Sequence, residues 1–278
     1  MPVDALDHAR EQRYLPGLET SLTYIAKLYN EEFHLLARAD IVKTGDLVGQ
    51  IVNVDADGSS TALTATRLFN LLNLKVNIAT DDQQVAIQKL RRGEIAAIAI
   101  VTAAPATFLQ GIKAGDGLHL LDVPLTQAVV SAYTPAQLTA SNYPGLVGTD
   151  RPADTIAVGR VLMAADLRNI PDRYRNIANF VDALFTRFEG LLGPGHHPKW
   201  QEVNIAAELP GWARHPAAQQ WLQRNAQVAS SAGPDALQVL FSRFIDERRQ
   251  VSGNAPMSTA EKDALFQQFR AWQRGQAR

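Results

Sequence analysis

The sequence predicts an α/β protein built on a parallel-rich sheet with flanking helices. Two observations predict it. Between Gly49 and Thr102 short apolar runs alternate with amphipathic helical stretches, β-α-β-α-β, the order that folds into a parallel sheet with helices packed on it. The longest apolar run, near Ile95–Val101 (IAAIAIV), has the length of a buried strand. It falls far short of the roughly 20 residues of a membrane-spanning helix.

The elements follow in order. Asp4–Tyr14 reads as a helix with Asp4 as a cap, and the apolar-rich stretch Tyr24–Leu36 leads into a strand at Glu32–Ala37. Asp40–Gln50 is a connector. Ile51, Val52 and Val54 form a strand that stops at Asp55-Ala56-Asp57-Gly58. Ser59-Ser60-Thr61 then opens a helix with Leu63, Leu68, Phe69 and Leu72 at helical spacing. Lys75–Ile78 is a short strand, Asp81–Arg92 an amphipathic helix stopped by Gly93, and Glu94–Val101 the buried strand. Pro105–Lys113 reads as a short helix, Gly117–Pro124 as a strand, and Tyr133-Thr134-Pro135 and Tyr143-Pro144-Gly145 as turns. Asp154–Leu162 is another strand and Asp172–Leu192 a long helix ended by Gly193-Pro194-Gly195. Beyond it Trp200, Trp212 and Trp221 sit among polar residues. Ala236–Arg249 is an amphipathic helix, and the capping box Ser258-Thr259-Ala260-Glu261 opens a last one. Gly193–Arg278 is thus a helical extension, its aromatics spaced for packing or, if exposed, for docking.

Composition narrows the function classes. The 278 residues are 46% hydrophobic and 20% charged, enough for a sizeable core. A net charge of −1 and a pI of about 6.6 give no basic face for nucleic acid. The absence of cysteine removes disulfides, thiol catalysis and Cys-ligated metal. The opening MPVDALDHAREQRYL has no apolar signal core.

The chemistry concentrates at strand ends. Gly58-Ser59-Ser60-Thr61 joins a strand to a helix N-terminus, where unpaired N–H groups and partial positive charge suit a carboxylate or phosphate. In the plainer reading Ser59 or Ser60 only caps the helix. Thr102-Ala103-Ala104-Pro105 ends the next strand, and ligands of parallel sheets bind beyond such carboxyl ends, so the two turns are expected to face one crevice. The Gly58 turn lacks the lysine of a phosphate-binding loop, and no GxSxG or GxGxxG is present. His196-His197 are adjacent rather than spaced to share a metal. Glu31-Glu32 point different ways, and Asp81-Asp82 fit a helix start. No nucleophile–base pair emerges, so the crevice reads as one for binding rather than turnover.

Several motifs then resemble those of one family. Tyr24–Ala37 (YIAKLYNEEFHLLA) resembles the YIAxLYNEExHvLA segment of the TAXI solute-binding proteins, which serve TRAP-type (tripartite, ATP-independent) transporters. Asp46–Thr61 resembles that family's DLxGKxVnVdxxGSGT, Ala86–Ala97 its AIxKLrxGEIxA, and Val101–Pro105 its VxGxP turn. Tyr143-Pro144 and Ala153–Val158 match its YP and VDTIAV, so the likeness covers most of Tyr24–Phe188. His197–Trp200 and Pro210–Trp212 resemble a C-terminal extension in one branch. Ser60 and Ala103 stand where the family usually has glycine.

The resemblance implies a type II periplasmic-binding-protein-like fold with two α/β lobes closing on a ligand. Residues 1–45 would be a remnant of lobe one and the first crossing, and 46–125 lobe two. Residues 126–192 would form the second crossing and the return to lobe one, and 193–278 the C-terminal helical extension. Relative to the family the chain is expected to be truncated at its N-terminus, as a fragment or through a misplaced start. The implied function is an extracytoplasmic receptor for a small anionic solute, a carboxylate such as an amino acid or dicarboxylate, working with TRAP membrane permease subunits and without a cofactor. The implied ligand-binding residues are Tyr29, Gly58, Ser59, Ser60, Thr61, Thr102, Ala103 and Pro105. Alternatives are a sensing or protein-interaction domain of the same fold, as in LysR-type regulators, and a cytoplasmic enzyme with an anion cleft.

Overall fold

The computed structural model describes residues 1–11 and 17–231, with Ser258. Two compact units emerge: Met1–Ala165 with Glu202–Ala213, and Asp166–Gln201 with the described residues from Arg214 on.

The first unit holds a single sheet. Its elements are α1 (Val3–Glu11), α2 (Leu18–Ser21), β1 (Leu22–Arg38), β2 (Ile51–Asn53), α3 (Ser60–Leu71), β3 (Asn77–Ala79), α4 (Gln83–Arg91) and β4 (Ala97–Thr102). They continue with α5 (Thr107–Gln110), β5 (Leu118–Leu120), α6 (Gln127–Ala132), β6 (Thr134–Leu138) and β7 (Ala153–Ala165). The strand order is β3-β2-β4-β1-β7-β6, with β5 also on β1. The expected β-α-β-α-β run is β2-α3-β3-α4-β4, and its three strands are parallel. All other pairings are antiparallel, so the sheet is mixed.

Alternation along the central strands explains the packing. Phe33, Leu35 and Ala37 of β1 and Ala97, Ala99 and Val101 of β4 share one cluster with Ala65, Leu68 and Phe69 of α3. Leu36, Ile98 and Ile100 share the other with Ala86 and Leu90 of α4. Successive strand side chains point to opposite faces, and both faces here are covered. That is why β4 is apolar without alternation.

Several sequence expectations change. Asp4 does not cap the first helix: α1 begins at Val3, and the Asp4 carboxylate accepts from Thr64 and Tyr133 instead. β1 is a 17-residue strand, not a short one at Glu32–Ala37. Its polar middle, Lys27 to Glu31, is only half-buried, and it stays extended because it pairs with β7. Tyr133-Thr134-Pro135 is not a turn: α6 ends at Ala132 and β6 begins at Thr134. Pro135 is tolerated because β6 is an edge strand.

In the second unit α7 (Pro171–Thr186) is followed by a 3₁₀ turn at Phe188–Leu192, together spanning the expected long helix. In α8 (Pro216–Ser231), Pro216 is the first residue. His215 caps it, Nδ1 accepting from the Ala217 N–H at 3.2 Å. The aromatics pack edge-to-face, Phe185 on Trp221 at 5.3 Å and Phe188 on Trp200 at 6.2 Å. The helices expected at Ala236–Arg249 and after Ser258, and the end of the first helix near Tyr14, lie outside the described residues.

Candidate functional site

The β2–α3 turn is built as a helix N-terminus. Gly58 has φ +75°, a conformation glycine adopts without strain. Ser59 is the N-cap, its Oγ accepting from the Ala62 N–H at 3.1 Å while its carbonyl takes the Leu63 N–H at 3.2 Å. The capping reading of Ser59 therefore holds. Thr61 is buried, and its Oγ1 accepts from the Val101 N–H at 3.2 Å, tying α3 to β4. Among the described residues the N–H groups of Ser60 and Thr61 are left as donors of the helix end. Ser59→Ala is expected to cost about 1 kcal/mol as a lost cap, and Thr61→Ala about 1–3 kcal/mol by orphaning the Val101 N–H. Urea unfolding checks both.

The turn after β4 is held from inside the protein. The Ala104 N–H donates to Glu32 Oε2 at 2.9 Å, and the Ala106 N–H donates to the Tyr143 hydroxyl at 2.8 Å. Tyr143 Oη lies 2.8 Å from His34 Nε2, and His34 Nδ1 lies 2.9 Å from the Glu32 carbonyl. A carbonyl only accepts, so Nδ1 carries the proton and Nε2 accepts from the Tyr143 O–H. Burial pushes His34 down to about 4 and Tyr143 up to about 12. Gly145 lets the Tyr143 loop lie against the Ile112 carbonyl, where any Cβ would collide. The Ala104 N–H is taken by Glu32, and Thr102, Ala103 and Pro105 of the turn are half-buried. The Ala104–Pro105 peptide is cis.

The structure brings the two turns together, since β2 and β4 are parallel neighbours and Thr61 bonds to Val101. Tyr29 lies elsewhere on β1. The register with β7 shifts between Lys27 and Asn30, leaving Leu28 and Tyr29 opposite Arg160, which pairs with Glu31 at 2.5 Å. Tyr29 is half-buried, and desolvation raises its hydroxyl pKa.

A cavity of about 550 Å³ runs along the outer face of α3 from Gly58 and Ser59 past Ala62 and Leu63 to Arg67, with His8 of α1 on its other side. This size suits a small molecule. Of the expected ligand-binding residues only Gly58 and Ser59 line it; Tyr29, Ser60, Thr61, Thr102, Ala103 and Pro105 do not. Arg67 lies 6.0 Å from the Tyr133 ring centroid and 3.6 Å from the exposed Glu11 carboxylate. Below it Asp4 Oδ2 accepts from Thr64 Oγ1 at 2.7 Å and the Tyr133 hydroxyl at 3.2 Å, while Asp4 Oδ1 has no partner among the described residues. Burial, then the Asp4 charge, raises the Tyr133 pKa. Sequence reasoning missed Arg67 and His8. The available signal was the spacing of Ser59, Leu63 and Arg67, four apart on one face of α3.

His197 Nδ1 accepts from the Lys199 N–H at 3.2 Å, and no group of three or more metal-ligating side chains occurs among the described residues. No helix among them is long and apolar enough to cross a membrane.

The profile of the NMT1-like family matches residues 11–221, most of the chain. The chain belongs to this family. No curated protein matches this NMT1-like chain. Solved structures similar to it include a TctC solute binding protein from Polaromonas, at 15% identity over 78% of this chain and 64% of that one, with a TM-score of 0.39. An ancestral arginine-binding protein bound to arginine matches at 12% identity over 73% and 76% of the two chains, with a TM-score of 0.39. Substrate binding domain 2 of Lactococcus lactis GlnP matches at 12% identity over 46% and 64%, with a TM-score of 0.27. The NMT1-like chain therefore spans 64% of the length of the TctC and GlnP structures.

Proposed function

We propose that this NMT1-like chain is the solute receptor of a TRAP-type (TAXI) transporter, working outside the cytoplasmic membrane with permease subunits. It binds a small carboxylate, such as an amino acid or dicarboxylate, without chemical turnover. Residues 46–125 form the lobe that carries the site, and hinge closure over it excludes water and strengthens its polar contacts. The observation that carries this reading is the pairing of two turns at the carboxyl ends of parallel strands. The Gly58–Thr61 turn supplies helix N-terminal donors for the carboxylate. Thr102, Ala103 and Pro105 wall the other side, and Tyr29 lies three residues along β1 from Glu32, which faces Thr102 across the β1–β4 ladder.

A thermal-shift screen against amino acids, keto acids and dicarboxylates tests the reading. The expected result is a melting temperature that climbs with ligand concentration, equivalent to about 2.7 kcal/mol at a hundredfold excess over Kd. A folded protein whose melting temperature no carboxylate moves would overturn it.

A further inference from the structure

We propose that Glu32, His34 and Tyr143 are positioning residues of the solute site: they hold the turn Thr102–Ala106 in its binding shape without touching the solute. This rests on reading that turn as one wall of the site. Three stretches far apart in the sequence meet in one hydrogen-bonded chain. Glu32 and His34 come from β1, the turn follows β4, and Tyr143 comes from the loop after β6. Two N–H groups of the turn, those of Ala104 and Ala106, are held by side chains rather than by sheet or helix partners.

Direct contact with a solute in the cleft is ruled out by burial. Glu32 is 6% exposed and His34 and Tyr143 are fully buried. The bonding is also directional. The Glu32 carbonyl requires the proton on Nδ1, which makes Nε2 the acceptor of the Tyr143 O–H and leaves the Tyr143 oxygen to receive the Ala106 N–H. Each group thus fixes the next, and the chain ends on the turn's backbone. Glu32 acts twice, its carbonyl orienting His34 and its carboxylate holding Ala104. Such outer groups matter because small displacements of the groups they hold are felt in binding.

The test combines calorimetry with L-aspartate, which is both an amino acid and a dicarboxylate, and amide hydrogen exchange at Ala104 and Ala106 in ligand-free protein. Calorimetry is run far below the melting temperature of each variant. Glu32→Ala and Tyr143→Phe are expected to bind about tenfold more weakly. They should also exchange the Ala104 and Ala106 amides, respectively, faster than wild type. Glu32→Gln, whose amide oxygen still accepts from the Ala104 N–H, is expected to restore both readouts. Variants that melt earlier but bind L-aspartate like wild type would show a merely structural role and overturn the proposal. If wild type itself does not bind L-aspartate, calorimetry is repeated with the carboxylate that most raises its melting temperature; if no carboxylate raises it, the receptor reading fails. The exchange arm then decides separately: unchanged exchange at Ala104 and Ala106 overturns the positioning role.

Discussion

Tyr143→Phe is expected to lower the unfolding free energy by about 2–6 kcal/mol, although it removes a single oxygen. That oxygen accepts from the Ala106 N–H and donates to His34 Nε2, each at 2.8 Å, in a fully buried position. Without it one buried donor and one buried acceptor lose their partners, and each orphaned group costs about 1–3 kcal/mol. The ring stays, and with it the edge-to-face contact on His34 at 5.3 Å, so no cavity opens and the loss is that of the polar chain. Urea unfolding of the two proteins measures it. A loss well under 1 kcal/mol would mean that the hydrogen-bond chain contributes little.

The second large effect is acid sensitivity. Burial lowers His34 from its ordinary 6.5 to about 4. Between these values the unfolded chain binds a proton that the folded chain does not, so stability rises with pH across this window. The contribution is fully present above about 6.5 and is lost as pH falls toward 4, roughly 3 kcal/mol in all at 1.36 kcal/mol per unit. The geometry agrees: protonation makes Nε2 a donor facing the Tyr143 hydroxyl, whose own proton then has no acceptor. The buried His215 is lowered by desolvation as well and adds a slope of the same sign. It is common to wild type and a His34→Gln variant, so the difference between their stability–pH curves isolates His34. The expected result is a wild-type curve about 3 kcal/mol steeper between pH 7 and 4. Parallel curves would contradict it.

Much of the stretch from β2 to β4 was legible because its signals are local. Ser59 and Asp82 cap α3 and α4 through their own side chains, Gly93 stops α4, and the run IAIV can only be a buried strand at that length. The full extent of β1 was not legible, since Lys27–Glu31 looks like a polar connector until β7 is found beside it. The six-residue helix α6 is too short to show a period.

At the site, the turn and its hydroxyls could be read from sequence, but not which of them were already engaged. Thr61 bonds to a residue 40 positions away, and Glu32 to one 72 away. Such pairings follow from strand order, which local pattern does not contain. Arg67 was missed for a different reason: it lies off the apolar face of an amphipathic helix, where charge is the default, and its half-burial follows only from the fold.

The central claim is that a solute carboxylate is taken by the N-terminus of α3, and calorimetry on Ser60→Glu beside wild type tests it most directly. Ser60 is the first residue of α3, half-buried, and makes no side-chain hydrogen bond among the described residues. An acidic side chain there interacts favourably with the helix dipole, so the variant is expected to be as stable as wild type or more so by about 0.3–1 kcal/mol. Its own carboxylate then fills and repels at the anion position. Wild type is expected to bind a small carboxylate and the folded variant to lose that binding. Equal binding by the two proteins would contradict it.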